Sequence, residues 1–260
     1  MAAIIPIPAF RDNYIWLLIE GGNAVVIDPG DAGPVLAVLD REGLRLTAIL
    51  NTHHHNDHVG GNQALLERHD VPVFGPVRER IPGMTRPLRE GERVDVPGIG
   101  MHLDVLDVPG HTAGHIAYVQ AATRGAAPRA FVGDTLFACG CGRLFEGSPG
   151  EMWSSLQKLA ALPDPTEIYC AHEYTLANLR FAAAVEPDSE AIRERTERET
   201  ARRVRGEPTV PSRLADERAT NPFLRAGRPG VMRAAGLHAG RVVDDPVASF
   251  AVLRDWKDRF

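Results

Sequence analysis

Cysteine is scarce in this sequence. The chain has only three cysteines among 260 residues, Cys139, Cys141 and Cys170. A low and odd count is a poor basis for a disulfide framework and is typical of a protein from a reducing compartment. We therefore expect free thiols and a cytoplasmic protein. Cys139 and Cys141 are expected to be small loop residues, and Cys170, which follows an apolar run, is expected to be buried.

An excess of positive charge and a long apolar run are also missing. The formal net charge is −5, whereas a general nucleic-acid interface needs a basic face. No apolar run approaches the roughly 20 residues of a membrane-spanning helix. The first residues lack the charged leader and apolar core of a signal peptide. We expect a monomer that binds neither nucleic acid nor a membrane.

Short apolar runs separated by turn residues occupy the first 170 residues, and helical patterns occupy most of the rest. Strands are predicted at 14–19, 24–27, 46–50, 101–108, 115–120, 130–133 and 167–170. Helices are predicted at 35–41, 60–69, 151–162, 174–184, 189–205 and 246–260. We therefore expect an α/β domain over residues 1–172 and a smaller helical domain over residues 173–260. The mixed-sign charges of 189–205 predict a solvated helix face.

The strongest functional signal follows the apolar run Ala48–Leu50 and has the spacing His53-x-His55-x-Asp57-His58. Imidazole and carboxylate groups are ligands for divalent ions such as zinc. His53 and His55 are two residues apart and can face one ion. The side chains of the adjacent Asp57 and His58 diverge and suit a second ion. The pattern therefore favours two ions over one.

Further ligand candidates follow predicted strands in glycine-rich loops. They are His111, Asp134 and His172. Strand ends that present ligands to one rim are the usual way to build a rigid site. The sequence therefore predicts a site for divalent ions built from four strand ends.

The order of these residues resembles the metallo-β-lactamase superfamily and, within it, the glyoxalase II (hydroxyacylglutathione hydrolase) family. The closer resemblance rests on segments throughout the chain: Phe10–Tyr14, Gly133–Arg143, His172–Thr175, Thr209–Ser212, Asn221–Arg225 and Arg254–Phe260. The resemblance implies an α/β fold, a four-layer αββα sandwich, with a smaller C-terminal helical domain that binds glutathione.

The resemblance also implies a role for each ligand. The implied ligands of one ion are His53, His55 and His111. The implied ligands of the other ion are Asp57, His58 and His172, and Asp134 bridges both. Asp57 and Asp134 are the implied catalytic residues, Asp57 also as a proton acceptor. Zn²⁺ is the expected ion, and the same donors accept Fe or Mn.

The implied reaction is hydrolysis of an S-(2-hydroxyacyl)glutathione by a hydroxide that two metal ions activate. S-D-lactoylglutathione would yield glutathione and D-lactate, the second step of methylglyoxal detoxification. The implied substrate contacts are Arg143, Leu144, Phe145, His172, Tyr174, Arg254 and Lys257. Leu144 stands where the family commonly has an aromatic residue, and Phe145 stands where it often has tyrosine.

Two alternatives remain open from the sequence. One is a glutathione persulfide dioxygenase with a single iron, which needs only two histidines and one carboxylate. The other is a metal-containing binding protein without turnover. His54, between two ligands, is expected to pack or hydrogen-bond away from the ions, and His115 is expected to support the ligands. Asp28 is either a simple turn residue or a group that orients the ligand loop.

Overall fold

A computed structural model describes residues 2–260 of the chain. The chain divides into two compact units. The first comprises the residues up to Asp107 together with Thr112–Gly133, and the second comprises Val108–His111 and Asp134–Phe260. The predicted domain boundary between residues 172 and 173 stays a prediction. Within residues 2–260, no helix has the length and apolar character needed to cross a membrane.

The first unit contains a six-stranded mixed sheet whose strands lie side by side in chain order. Its strands are β1 (Ala3–Ala9), β2 (Asn13–Glu20), β3 (Asn23–Ile27), β4 (Arg45–Leu50), β5 (Val73–Pro76) and β6 (Arg86–Leu88). Its helices are α1 (Ala32–Glu42), α2 (Asn56–Val59) and α3 (Asn62–Leu66). The pairs from β1 to β3 are antiparallel, and those from β3 to β6 are parallel. The parallel pairs require crossovers, which α1, α2 and α3 help to supply.

Four antiparallel strands of a second sheet lie in this unit. They are β7 (Arg93–Asp95), β8 (His102–Asp107), β9 (Ile116–Gln120) and β10 (Arg129–Gly133). The β7–β8, β8–β9 and β9–β10 pairs place consecutive strands beside one another. The segment between β8 and β9 carries His111 and His115, so this sheet places both residues beyond strand ends.

The second unit is mostly helical. Its short strands are β11 (Leu136–Phe137), β12 (Gly140–Cys141), β13 (Glu167–Cys170) and β14 (Ser212–Arg213), paired as β11–β12 and β13–β14. Its helices are α4 (Pro149–Ala160), α5 (Thr175–Val185), α6 (Glu190–Val204), α7 (Leu214–Thr220), α8 (Pro229–Ala239) and α9 (Pro246–Asp258). Pro149, Pro229 and Pro246 stand in the first turns of α4, α8 and α9, where a missing backbone N–H costs nothing.

The main core of the first unit lies between its six-stranded sheet and the helices α1 and α3. Ile15, Leu17 and Val26 pack there with Val35 and Leu39. The neighbouring residues on the opposite face of β2, Trp16 and Leu18, are also no more than 2% exposed. Because both faces are covered, β2 and β3 are continuous apolar runs and do not alternate with polar residues.

Most predicted elements are confirmed. The strand β1 was missed because Pro6 and Pro8 cannot donate backbone hydrogen bonds. An edge strand tolerates them, and β1 lies at the edge of its sheet. The helix predicted at 60–69 was wrong in its bounds, because the chain forms the short helices α2 and α3. The helices α7 and α8 and the short strands β5, β6, β7, β11, β12 and β14 were also missed.

The prediction of a solvated face on α6 was wrong for two of its charged residues. Arg195 and Glu199 are 2% and 3% exposed. Arg195 donates from Nη2 to Glu217 Oε1 at 2.5 Å and from Nη1 to Thr220 Oγ1 at 2.6 Å. Glu217 Oε2 accepts the backbone N–H of Cys139 at 2.7 Å. The buried ion pair therefore ties α6 and α7 to the hairpin of β11 and β12.

Replacement of Arg195 by methionine is expected to lower the free energy of unfolding by about 3–5 kcal/mol, because it leaves the Glu217 carboxylate buried without its counter-charge. Chemical denaturation measures this loss. Arg193→Met on the same helix is the control. Arg193 pairs with Glu190 while both side chains are more than half exposed, so its loss should cost at most about 1 kcal/mol. If both variants lost equally little free energy of unfolding, the buried pair would not have the expected contribution to stability.

Candidate metal centre

Asp28, at the end of β3, holds the start of the predicted ligand loop. Its Oδ1 accepts the backbone N–H of Thr52 at 2.7 Å, and its Oδ2 accepts the Thr52 hydroxyl at 2.7 Å. His58 Nδ1 lies 3.1 Å from Oδ2 of the same carboxylate. Asp28 is 4% exposed and has a φ of 53°, an uncommon backbone angle for a residue other than glycine. Of its two possible roles, orientation of the ligand loop is confirmed.

Close polar contacts orient two histidines of this loop. His58 has its Nδ1 3.1 Å from Oδ2 of the Asp28 carboxylate and its Nε2 on the side of Asp57. The Thr52 hydroxyl donates to Asp28, so it accepts from His53 Nδ1 at 3.1 Å and leaves His53 Nε2 as the ligand atom. The loop is therefore arranged to offer nitrogen lone pairs.

The ligand atoms of His53 and His55 have the spacing of neighbours around one ion. His53 Nε2 lies 3.2 Å from His55 Nδ1. Two nitrogens bound to one tetrahedral zinc, each at about 2.0–2.1 Å, are about 3.3 Å apart. The His53 ring stacks on the buried ring of His115 with centroids 4.5 Å apart. His115 thus packs against His53, a predicted ligand.

Asp57 occupies the first turn of α2 and is partly exposed. Its Oδ2 accepts the side-chain N–H of Asn13 at 3.1 Å and lies 3.7 Å from His58 Nε2. The backbone beneath it is packed against Gly30, where any Cβ would lie 1.9 Å from the Asp57 carbonyl oxygen. Glycine is therefore required at position 30 for α2 to approach the turn after β3. The sequence assigned no role to Asn13.

The second unit carries the other three predicted ligands, and it brings them together. Asp134 Oδ2 lies 3.4 Å from Nε2 of His111 and 3.4 Å from Nε2 of His172. His111 Nδ1 donates to the backbone carbonyl of Arg143 at 2.9 Å, which leaves Nε2 as its ligand atom. These distances match neighbouring ligands of a metal ion, and Asp134 has a histidine on either side.

Aromatic side chains surround the ligands of the second unit. The ring of His172 stacks on Tyr174 at 4.8 Å, and Phe137 meets both rings edge-on. Phe145 packs edge-on against His111 at 5.2 Å and is 61% exposed. Leu144 is half-buried. Tyr174 and Phe145 therefore offer apolar surface directly beside two ligands.

Three predicted cationic contacts differ in exposure. Arg143 is largely exposed, and its Nε lies 3.3 Å from Asp258 Oδ1. Arg254 is buried and donates to the carbonyl of Cys141 at 2.9 Å and to Asp258 Oδ1 at 2.9 Å. Asp258, which the sequence did not single out, thus joins the two arginines. Substrate contact by Arg254 stays a prediction, and its contacts suit it to holding Asp258 and Arg143 in place.

Lys257 is half-buried near the N-terminal half of α5. Its Nζ donates to the carbonyl of Ala177 at 3.3 Å and lies 5.4 Å from the centre of the Phe181 ring. Burial lowers the pKa of Lys257, and the positive charges of Arg254 and Arg180 lower it further. Lys257 therefore lies among other positive charges, and an anion bound there would favour its charged form.

The three thiols are not placed for metal binding. Cys139, Cys141 and Cys170 are free and buried. Burial raises the pKa of Cys139 to about 12, of Cys141 to about 11 and of Cys170 to about 12. A metal ligand must be the thiolate, so the thiols are structural, as predicted.

His54 stands between two predicted ligands and makes a hydrogen bond to the protein. Its Nδ1 lies 3.0 Å from Oε2 of the buried Glu79, which confirms its predicted hydrogen-bonding role. The donor chemistry of both units, imidazole nitrogen with carboxylate oxygen, fits zinc, iron or manganese. The chain therefore has a His/Asp cluster that could hold metal.

Family models match the two parts of the chain. The metallo-beta-lactamase superfamily model matches residues 9–172, and a model described as the hydroxyacylglutathione hydrolase C-terminus matches residues 173–260. ETHE1 from Myxococcus xanthus shares the fold with a TM-score of 0.67 at 23% identity, covering 98% of this chain and 91% of that one. The chain thus has the metallo-β-lactamase fold, an α/β sandwich, with a C-terminal helical domain.

Curated relatives define the family more closely. The hydroxyacylglutathione hydrolase of Alkalilimnicola ehrlichii is 59% identical, with all of both chains covered. That of Nitrosomonas europaea is 52% identical and covers all of this chain and 97% of its own. The chain belongs to the hydroxyacylglutathione hydrolase family. These relatives do not favour the dioxygenase or the non-catalytic alternative.

Replacement of Asp28 by alanine is expected to weaken zinc binding by about 10- to 100-fold, because Thr52 and His58 lose the group that orients the ligand loop. Competition of the full-length protein with a chromophoric chelator measures the affinity. Asp31→Ala is the control. Asp31 caps α1 through Gly33 N–H at 2.8 Å, so its loss should reduce stability by about 1 kcal/mol and leave zinc affinity unchanged. A folded Asp28→Ala protein with normal zinc affinity would refute the role.

Proposed function

We propose that the chain hydrolyses the thioester bond of an S-(2-hydroxyacyl)glutathione, releasing glutathione and a 2-hydroxy acid. The observation that carries the proposal is the pair of His/Asp donor sets, each with ligand-like spacing. They occur in a chain whose relatives over its full length are named hydroxyacylglutathione hydrolase. S-D-lactoylglutathione is the proposed substrate, and the proposed setting is a cytoplasmic monomer.

The proposed metal centre uses seven protein ligands. His53, His55 and His111 are assigned to one ion, and Asp57, His58 and His172 to the other, with Asp134 bridging. A solved protein 33% identical to this chain, aligned over 65% of it and 91% of its own chain with a TM-score of 0.53, was crystallised in a di-iron-bound form, which supports two ions here. Divalent ions at such a centre lower the pKa of water toward neutrality and stabilise charge on a carbonyl oxygen.

The chain's own groups hold this chemistry in position. Asp28 and Thr52 orient two ligand histidines, and Asn13 donates to one oxygen of Asp57. Asp57 is the residue proposed to accept the proton of the attacking water. The departing thiol has a pKa of about 8.5 and leaves as a thiolate without a strong general acid.

The proposed glutathione contacts are in the second unit. Glutathione carries two carboxylates, which require local cations on an acidic protein. Arg143 and Lys257 are proposed to bind them, while Arg254 fixes Arg143 through their shared contact with Asp258. Tyr174 and Phe145 are proposed to pack against the substrate beside His172 and His111. Leu144 completes the segment between Arg143 and Phe145.

Purified full-length protein is expected to hydrolyse S-D-lactoylglutathione and to contain two metal ions per chain. Loss of thioester absorbance measures turnover, and metal analysis of the same sample measures the ions. Asp134→Ala should lower kcat by at least about 100-fold, because even an outer-shell partner contributes about 10- to 100-fold. Metal removal should abolish turnover, and added Zn²⁺ should restore it. An Asp134→Ala protein with both metals and normal turnover would overturn the dinuclear assignment.

Replacement of Lys257 by alanine is expected to raise KM about tenfold with little change in kcat. The lost charge-assisted contact lies on a part of the substrate remote from the reacting bond. Steady-state kinetics with the same thioester measures both constants. Lys158→Ala on α4 is the matched control, because Lys158 is an exposed lysine given no role in binding. An unchanged KM for Lys257→Ala would remove this residue from the glutathione site.

A further inference from the structure

Glu79 is a buried carboxylate in the loop between β5 and β6. Its side chain is only 3% exposed. A buried carboxylate is costly unless hydrogen bonds compensate for the lost water. Its Oε2 lies 3.0 Å from His54 Nδ1. Its Oε1 accepts the Thr112 hydroxyl and also the backbone N–H of Gly114 at 3.0 Å. The carboxylate is thus compensated by three hydrogen-bond partners.

The three donors come from two separate loops. His54 stands between His53 and His55, in the loop after β4. Thr112 directly follows His111 in sequence, and Gly114 directly precedes His115, in the loop between β8 and β9. The Glu79 side chain therefore connects the segment after β4, which carries His53 and His55, with the loop that follows His111.

The contact with the second loop leaves no spare room. A Cβ placed on Gly114 would lie 2.5 Å from Glu79 Cγ and 3.1 Å from Glu79 Oε1. Only a residue without a side chain allows this approach. The loop therefore packs closely against the Glu79 side chain. Water could not replace this contact as it could replace an exposed hydrogen bond.

We propose that Glu79 is a positioning residue of the metal centre, which joins the two ligand-bearing loops and sets their separation before metal binds. The proposal rests on the proposed function for the identity of the ligands. Glu79 itself faces His54 and does not bind metal. Its effect reaches the ions through the backbone of residues 53–55 and 111–115.

The test compares Glu79→Gln with Glu79→Leu in the full-length protein. A glutamine oxygen can still accept from Thr112 and Gly114, and its amide can donate to His54 in the other tautomer. Leucine has a similar size and accepts nothing. Three quantities are measured: the rate at which Zn²⁺ leaves the loaded protein for a chelator, the hydrogen exchange of the Gly114 amide, and kcat and KM for the thioester.

Glu79→Leu is expected to speed zinc loss by about 10- to 100-fold and to lower kcat with little change in KM. The Gly114 amide should exchange faster, and Glu79→Gln should remain close to wild type in all three measurements. Glu199→Leu is the control, because Glu199 is also a buried carboxylate and accepts from Arg198 and Arg202, remote in sequence from the ligand loops. It should lower thermal stability and leave zinc loss unchanged.

A folded Glu79→Leu protein that retains zinc as well as wild type overturns the proposal. If Glu79→Leu does not fold, Thr112→Val and His54→Phe each remove one partner and should speed zinc loss about three- to tenfold. Normal zinc retention in both also overturns it. A wild-type protein that shows this zinc pattern but hydrolyses no thioester would retain the positioning role and refute the proposed function instead.

Discussion

The hydrogen-bonded carboxylate of Asp28 is the constraint on which the ligand loop depends. Asp28 lies at the end of a parallel strand. Its carboxylate accepts the backbone N–H and the hydroxyl of Thr52, in the segment after the neighbouring strand, and lies 3.1 Å from His58 Nδ1. The bonds continue through the Thr52 hydroxyl to His53. A single buried acid thus sets the tautomer of His53 through Thr52, because a carboxylate can only accept and the hydroxyl that donates to it must accept from the imidazole.

The second unit uses a comparable device for the Asp134 segment. Glu217 accepts the N–H of Cys139, which has a φ of 59°, and Asn221 donates to the carbonyl of Gly140 at 2.9 Å. The buried guanidinium of Arg195 pairs with the carboxylate of Glu217 and balances its charge. The hairpin that follows Asp134 is therefore held by buried polar groups from the helical part of the chain. Arg143 follows this hairpin in the chain, and its backbone carbonyl accepts a hydrogen bond from His111 Nδ1 and so orients the imidazole.

The sequence could name the candidate ligands because their signal is local. Four histidines and an aspartate within six residues after an apolar run have few structural explanations, and the other candidate ligands follow recognisable strands. The supporting acids carried no such signal. Glu79 stands in an unremarkable loop, and Asp258 and Glu217 stand in helices rich in charge. Their importance arises from partners distant in sequence. Glu79 contacts His54 and Thr112, which are 25 and 33 positions away, and Glu217 accepts from Cys139, which is 78 positions away.

The sequence by itself determined the residue types of the candidate metal centre, the α/β and helical parts, and the family to which the chain belongs. The residue types follow from their spacing, and the two parts follow from hydrophobic periodicity. The family follows from characteristic segments along the whole chain. Only the tertiary structure decided which charged residues are buried, so Arg195 changed from a solvated residue to half of an internal ion pair. It also decided which nitrogen each histidine presents, because that depends on hydrogen-bond partners that folding brings together.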